Sequence, residues 1–266
     1  MSSDKKTAVV TGGSSGIGRA AATSLAKKGC TVYELSRRDN PPYGVNHIKA
    51  DITDEAQVKE AIDTILEREG RIDILVNNAG YGISGAAELT SSRDSHAQLE
   101  LNLYGMDNVT RAVLPHMRKQ KSGRIVSVSS IAGILPIPFQ LWYSVSKAAI
   151  AAYVLALQNE IRPYGVTVCA VLPGDIATGF TDARQKDSCG DSDYNERVER
   201  SVAVMEKDER GGMSPEKAGA YIAKLAMKKN SRPLKAIGLT YKAVAVLTKL
   251  LPRRASNYIV GRIYAK

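Results

Sequence analysis

Short β-branched apolar runs alternate with longer stretches of helical periodicity along most of the chain. The pattern predicts strands at 7–11, 31–36, 47–50 and 72–76, with helices at 16–28 and 54–68 between them. It continues with a long helix near 94–120, a strand at 124–129, a helix at 143–162 and a strand at 166–171. Such alternation implies an α/β fold, a doubly wound parallel sheet covered by helices on both faces. No second core-forming pattern and no repeat interrupts it, so a single domain over 1–266 is expected. Gly29, Gly123 and Gly165 stand between helical and strand patterns, where a helix end takes a left-handed residue. Residues 179–213, rich in charged residues, Ser and Gly, break the rhythm and are expected to form a substrate loop or lid. Beyond them the pattern predicts a closing helix at 221–227, a last strand at 234–239 and an amphipathic helix at 241–251, making 239–266 a C-terminal helical extension.

Composition bounds this picture. With 44% hydrophobic and 24% charged residues the chain can bury a sizeable core, which excludes disorder and a small disulfide-stapled fold. The net charge of +10 is uneven: residues 217–266 carry twelve bases and no carboxylate, leaving 25 bases against 27 acids in the first 216. A basic end of this kind suits a polyanion, a membrane surface or plain solvation. No nucleic-acid motif accompanies it, so no nucleic-acid partner is expected. Cys30, Cys169 and Cys189 have neither paired spacing nor scaffold density, which fits a reducing, cytoplasmic setting, with peripheral membrane contact left open. Met1 to Lys6 is polar, so no signal peptide is expected, and no apolar run approaches the roughly 18 residues of a spanning helix. His47, His96 and His116 are scattered, so no metal site is expected.

Chemistry enters at the first strand-to-helix junction, Thr11-Gly12-Gly13-Ser14-Ser15-Gly16-Ile17-Gly18. A turn without side chains lets a pyrophosphate reach backbone N–H groups at the positive end of a helix. The base of the second strand's loop discriminates dinucleotides: a carboxylate there holds the ribose of NAD, a basic side chain the extra phosphate of NADP. Here Ser36 is followed by Arg37 and Arg38, which favours NADP(H), while Glu34 and Asp39 keep NAD(H) open. Tyr143 and Lys147 lie four residues apart on one predicted helix face, where a cation stabilises a phenolate and equips the phenol for proton transfer. Ser130 ends a central strand, Asn77-Asn78-Ala79-Gly80 ends the strand before it, and Asn102 sits inside a helical pattern for which asparagine has poor propensity.

Taken together, these four ordered motifs resemble the short-chain dehydrogenase/reductase family, over nearly the whole chain. The resemblance implies a Rossmann-type fold and a catalytic tetrad of Asn102, Ser130, Tyr143 and Lys147. Tyr143 would pass a proton to or from the substrate oxygen, Ser130 would hydrogen-bond that oxygen, Lys147 would bind the nicotinamide ribose and depress the tyrosine pKa, and Asn102 would hold a relay water. It implies cofactor contacts from Gly12, Ser14, Ser15, Gly16, Ile17 and Gly18, from Arg37 and Arg38, from Asp51 and Ile52 at the adenine, and from Asn78, Ala79 and Gly80. Pro173, Gly174, Ile176 and Thr178 would clamp the nicotinamide. The apolar run Ile134 to Phe139 and the ending Leu250 to Arg254 are similar to the hydroxysteroid and retinol dehydrogenase branch. The expected reaction is therefore NADP(H)-dependent interconversion of a hydrophobic ketone and secondary alcohol, steroid-like first, with retinoid or long-chain acyl carbonyls as alternatives. A cofactor sensor, or a polyanion- or membrane-binding protein on the same fold, is the non-enzymatic alternative. Homo-oligomers formed through the helices near 94–120 and 143–162 are the family's habit.

Overall fold

In the computed structural model, which describes residues 5–186, 192–194 and 196–265, seven strands form one all-parallel sheet. They are β1 (Thr7–Thr11), β2 (Thr31–Ser36), β3 (Asn46–Lys49), β4 (Ile74–Asn77), β5 (Gly123–Val128), β6 (Val166–Leu172) and β7 (Leu234–Ala236). Their spatial order is β3-β2-β1-β4-β5-β6-β7. The chain winds outward from β1 to β3, then restarts at β4 and winds the other way. That reversal between β1 and β4 opens a crevice at the carboxyl ends of the strands, where ligands bind in such sheets.

Both faces of the sheet are covered, so its strands are buried along their length rather than alternately; Ala8, Val9 and Val10 are all inaccessible. On one face α1 (Gly16–Lys27) and α7 (Pro215–Ala226) pack Ala21, Leu25 and Ile222 against Ala8, Val10, Val126 and Cys169. Against the other lie α2 (Glu55–Glu69), α4 (Gly105–Lys119) and α5 (Leu141–Ile161), whose Ile62, Val113 and Val154 meet Val9, Leu75 and Ile125. The start of α2 is fixed by Asp54, whose carboxylate accepts from the N–H groups of Ala56 and Gln57.

Several expectations change in detail. The long helix near 94–120 is three pieces: α3 (Ser92–Leu99), a π-helical turn (Glu100–Tyr104) and α4. Gly29 and Gly165 take the left-handed conformation, but Gly123 does not; Lys121 takes it instead, and Gly123 is small because a Cβ would strike Met117. Within 179–213, Gln185–Lys186 pairs in parallel with Ile83–Ser84, and α6 (Arg197–Arg210) forms a regular helix. Residues 187–191 and 195, including Cys189, lie outside the described residues. The closing helix starts earlier than 221, at Pro215 behind the Ser214 cap. The last strand ends at Ala236, and Gly238 turns the chain into α8 (Leu239–Leu250) and then α9 (Arg253–Tyr264).

Candidate active site

A cavity of about 1180 Å³ runs along the carboxyl ends of the strands. At one end lie Ser36, Arg37, Arg38, Asp51 and Ile52; its middle is walled by Gly12 and Ser14 to Ile17, and its other end holds Ser130, Tyr143 and Lys147. The turn after β1 is shaped by Gly12 (φ +65°) and Gly16 (φ +54°), a region in which other residues are strained. Ser15, the residue before α1, makes no side-chain cap, and the first turn of α1 carries no acid. The helix thus presents uncapped N–H donors and its positive end to the cavity. Asn78 and the turn are bolted together from below: Thr11 Oγ1 accepts from the N–H groups of Asn78 (3.0 Å) and Ala79 (3.1 Å), and Asn78 Nδ2 donates to the carbonyl of Thr11 (3.1 Å). Gly18, expected as a cofactor contact, does not line the cavity; its Cα packs beneath the turn, where a Cβ would strike Gly12 O and Asn78 Nδ2.

Beyond the turn, Arg38 Nη2 donates to Ser15 Oγ at 3.2 Å, and Arg37 lies 3.7 Å from Asp51. Neither Glu34 nor Asp39, the residues that kept NAD open, lines this end. Glu34 is fully buried below Gly13, paired with His47 and accepting from Ser36 Oγ at 3.2 Å. An elongated cavity with basic side chains at one end and uncapped N–H donors at its middle fits a nicotinamide dinucleotide. Arg37, Arg38, Asp51, the turn, Asn78 to Gly80 and Lys147 would hold it.

At the far end, α5 begins at Leu141 and sets Tyr143 and Lys147 one turn apart, with Lys147 Nζ 5.6 Å from the Tyr143 ring centre. The ammonium donates to Val128 O at 2.9 Å. The helix is pressed onto the sheet: Ser129 Oγ donates to the carbonyl of Lys147 at 2.7 Å, and Gly133 leaves no room for a Cβ above the same carbonyl. Ser130 opens a short helical turn, where its Oγ accepts from Ala132 N–H at 3.1 Å. Burial pushes the Lys147 ammonium down to about 8 and the Tyr143 phenol up to about 12, the latter opposed by the Ser130 hydroxyl. Burial is the largest influence on the Tyr143 phenol and acts opposite to the depression by Lys147 that the resemblance implies.

Asn102 lies in the π-helical turn, a local widening common at functional sites. It is buried outside the cavity wall, donating to Tyr81 O (3.0 Å) and Ser146 Oγ (3.1 Å) and accepting from Tyr81 N–H (3.0 Å). Pro173, Gly174, Ile176 and Thr178 line the wall opposite the turn. The C-terminal extension folds over the substrate cleft, as its sequence suggests, and forms the roof. Tyr241 of α8 covers Gly174 so closely that a Cβ there would enter the ring, and its hydroxyl donates to the Asp175 carboxylate. Val244, Leu247 and Leu251 follow it, then Ile259 and Ile263 of α9, facing Ile131, Leu135 and Ile137 across the cleft. Phe180 stands 5.7 Å from the Tyr143 ring.

A dinucleotide crevice that ends on a half-buried serine and tyrosine and a buried lysine defines a nicotinamide-dependent oxidoreductase acting on CH–OH groups. The short chain dehydrogenase family model matches residues 6–188, and the chain belongs to that family. It is 39% identical to a 3-ketodihydrosphingosine reductase of Bacteroides thetaiotaomicron over 261 residues, 97% of each protein. Among solved structures, a short-chain dehydrogenase from Streptomyces avermitilis superposes with a TM-score of 0.84 at 31% identity, covering 98% of both chains. A structure of ElxO with NADP bound superposes with a TM-score of 0.75 at 28% identity, covering 90% of this chain and 99% of that one.

Proposed function

We propose that this protein is an NADP(H)-dependent reductase of a long-chain ketone of the 3-ketodihydrosphingosine type. The observation that carries the reading is the roof: Val244, Leu247, Leu251, Ile259 and Ile263 are aliphatic groups that suit an alkyl chain beside Tyr143. The likeness to the Bacteroides reductase supports the same choice over the steroid and retinoid alternatives. NADP(H) is supported by Arg37 and Arg38 at the cavity end and by the engagement of Glu34 with His47.

When bound, the dinucleotide supplies or accepts the hydride. The protein's part is to place the carbonyl and move its proton. Tyr143, neutral across the ordinary pH range, donates its hydroxyl proton to the carbonyl oxygen, which Ser130 holds by a second hydrogen bond. Lys147, fixed by Val128 O, reaches the ribose side of the site. Asn102, locked between Tyr81 and Ser146, keeps the floor in register and stands where a proton-relay water would be held. A reducing compartment and a homo-oligomer assembled through α4 and α5 belong to the same reading; Cys30 and Cys169 are unpaired, and Val145 and Leu155 stand exposed on α5.

A panel of long-chain 3-keto lipids, steroids, retinoids and small polar ketones, assayed with NADPH and NADH, tests it. The long-chain set should turn over fastest with NADPH, and Arg37→Ala should weaken NADPH without weakening NADH. Preference for the polar set, or for NADH, would overturn the reading.

A further inference from the structure

We propose that the outer face of α8 and α9 docks on an anionic lipid bilayer. None of the twelve residues of α8 is fully buried, although most are apolar. A helix in a folded protein ordinarily gains its stability by burying its apolar stripe. Here Val244 and Leu247 turn toward the cavity, while Leu239, Ala243, Val246 and Leu250 repeat at the spacing of one helical face and are exposed, Leu239 by 85% and Leu250 by 75%. Tyr258 extends the patch onto α9. Lys242, Lys249, Arg253, Arg254 and Arg262, all exposed, lie on the same two helices, and no carboxylate follows Glu216 in the chain.

Charge selects the occupant. Two copies meeting through this face would bring the same bases together, since a two-fold contact pairs a patch with itself. An anionic headgroup layer complements the bases while the apolar stripe enters the acyl boundary. Among the described residues no helix is long and apolar enough to cross a membrane, so the contact is interfacial. Because Leu247, Leu251, Ile259 and Ile263 line the cavity from these same helices, the docked face would open the site toward the lipid. The surface is argued from exposure and charge and stands whatever ketone is reduced.

Sedimentation of the full chain with vesicles of phosphatidylcholine, alone or mixed with phosphatidylglycerol, tests it. Binding is expected to the anionic vesicles only, at low ionic strength, and should be largely lost near ~1 M salt, where the Debye length is about 3 Å. The pair Val246→Asp and Leu250→Asp should lower the bound fraction about tenfold while turnover of a short water-soluble ketone is unchanged. Should that pair lose turnover, Lys249→Gln with Arg253→Gln and Arg254→Gln carries the test, and it should bind like the native protein at high salt. No sedimentation with anionic vesicles, or unchanged sedimentation of the variants, would overturn the proposal. So would self-association abolished by the aspartates with vesicle binding intact.

Discussion

Thr11→Val offers a sharp test of how the cofactor turn is held. The threonine is fully buried at the end of β1, and its hydroxyl oxygen accepts two backbone N–H groups, those of Asn78 and Ala79. Valine has nearly the same shape, so the substitution opens no cavity; it removes the acceptor and leaves both donors buried. An unsatisfied buried donor costs about 1–3 kcal/mol, so partial relaxation of the pair gives a loss of about 2–4 kcal/mol. Thr11→Ser is the control. It keeps the oxygen and deletes one methyl, a loss of about 1 kcal/mol. Stability should therefore fall in the order native, serine, valine, whereas burial of apolar surface alone would put valine first and serine last. Urea unfolding measures it, as a lower midpoint at unchanged slope. The thermal midpoint should drop by about 2–4 °C per kcal/mol in a domain of this size. Because Asn78 also carries the carbonyl of Thr11, the valine protein should bind dinucleotide more weakly as well. A valine protein as stable as the serine one would refute the claim that this hydroxyl joins the two loops.

Three further outcomes follow from the site. Tyr143→Phe should lower ketone reduction by about 10²–10⁴-fold while NADPH binding, followed by fluorescence titration, is nearly intact; substantial turnover would take the proton-donor role from Tyr143. Burial lowers Lys147 to about 8 in the folded protein, so between pH 8 and its ordinary value of 10.5 the unfolded chain binds the extra proton, and stability rises with pH across that window. The urea midpoint of the native protein relative to that of Lys147→Met should therefore rise steadily from pH 8 to 10, and a pH-independent difference would contradict it. Gly174→Ala puts a methyl into the Tyr241 ring and should unseat α8, raising KM for a long-chain ketone and exposing α8 to limited proteolysis; an unchanged KM and digest would show that Tyr241 does not hold the roof.

The sheet was legible because its strands are buried on both sides and read as continuous apolar runs, such as Ala8 to Val10 and Cys169 to Val171. The motif residues were legible because four motifs recur in order and in the right contexts, although glycine, asparagine and serine at strand ends are singly ordinary turn residues. Geometry that depends on contacts distant in sequence was not. The π-helical turn at 100–104 leaves the helical period nearly intact, so Asn102 stands out in sequence by its poor helix propensity, while the bonds to Tyr81 and Ser146 that hold it do not show. Gly18 and Glu34 carried the right residue types at the right places, yet one packs under the turn and the other pairs with His47. Thr11 was quoted only as part of a motif, although a hydroxyl ending a buried strand needs a hydrogen-bonding partner and could have been singled out. For α9 the signal was weak: Val260 is its one fully buried residue, and Ile259 and Ile263 beside it face an open cleft rather than a core, although Pro252 just before it marks a start.

The cavity has two walls of different stiffness. The cofactor wall is made of strand ends and buried hydrogen bonds, so a dinucleotide entering it meets a surface already in place and little conformational entropy is lost. The roof is two helices that bury a single residue between them and rest on the body through partly exposed contacts, Tyr241 with Asp175 and Arg197 with the carbonyl of Ala265, so it is the softer wall. Binding should therefore be sequential, cofactor before ketone. Ligand chain length should register chiefly as an entropic contribution in calorimetry. Substitutions in the roof can then retune which carbonyl compound is accepted without disturbing the proton donor below, which separates the evolution of substrate range from that of the chemistry.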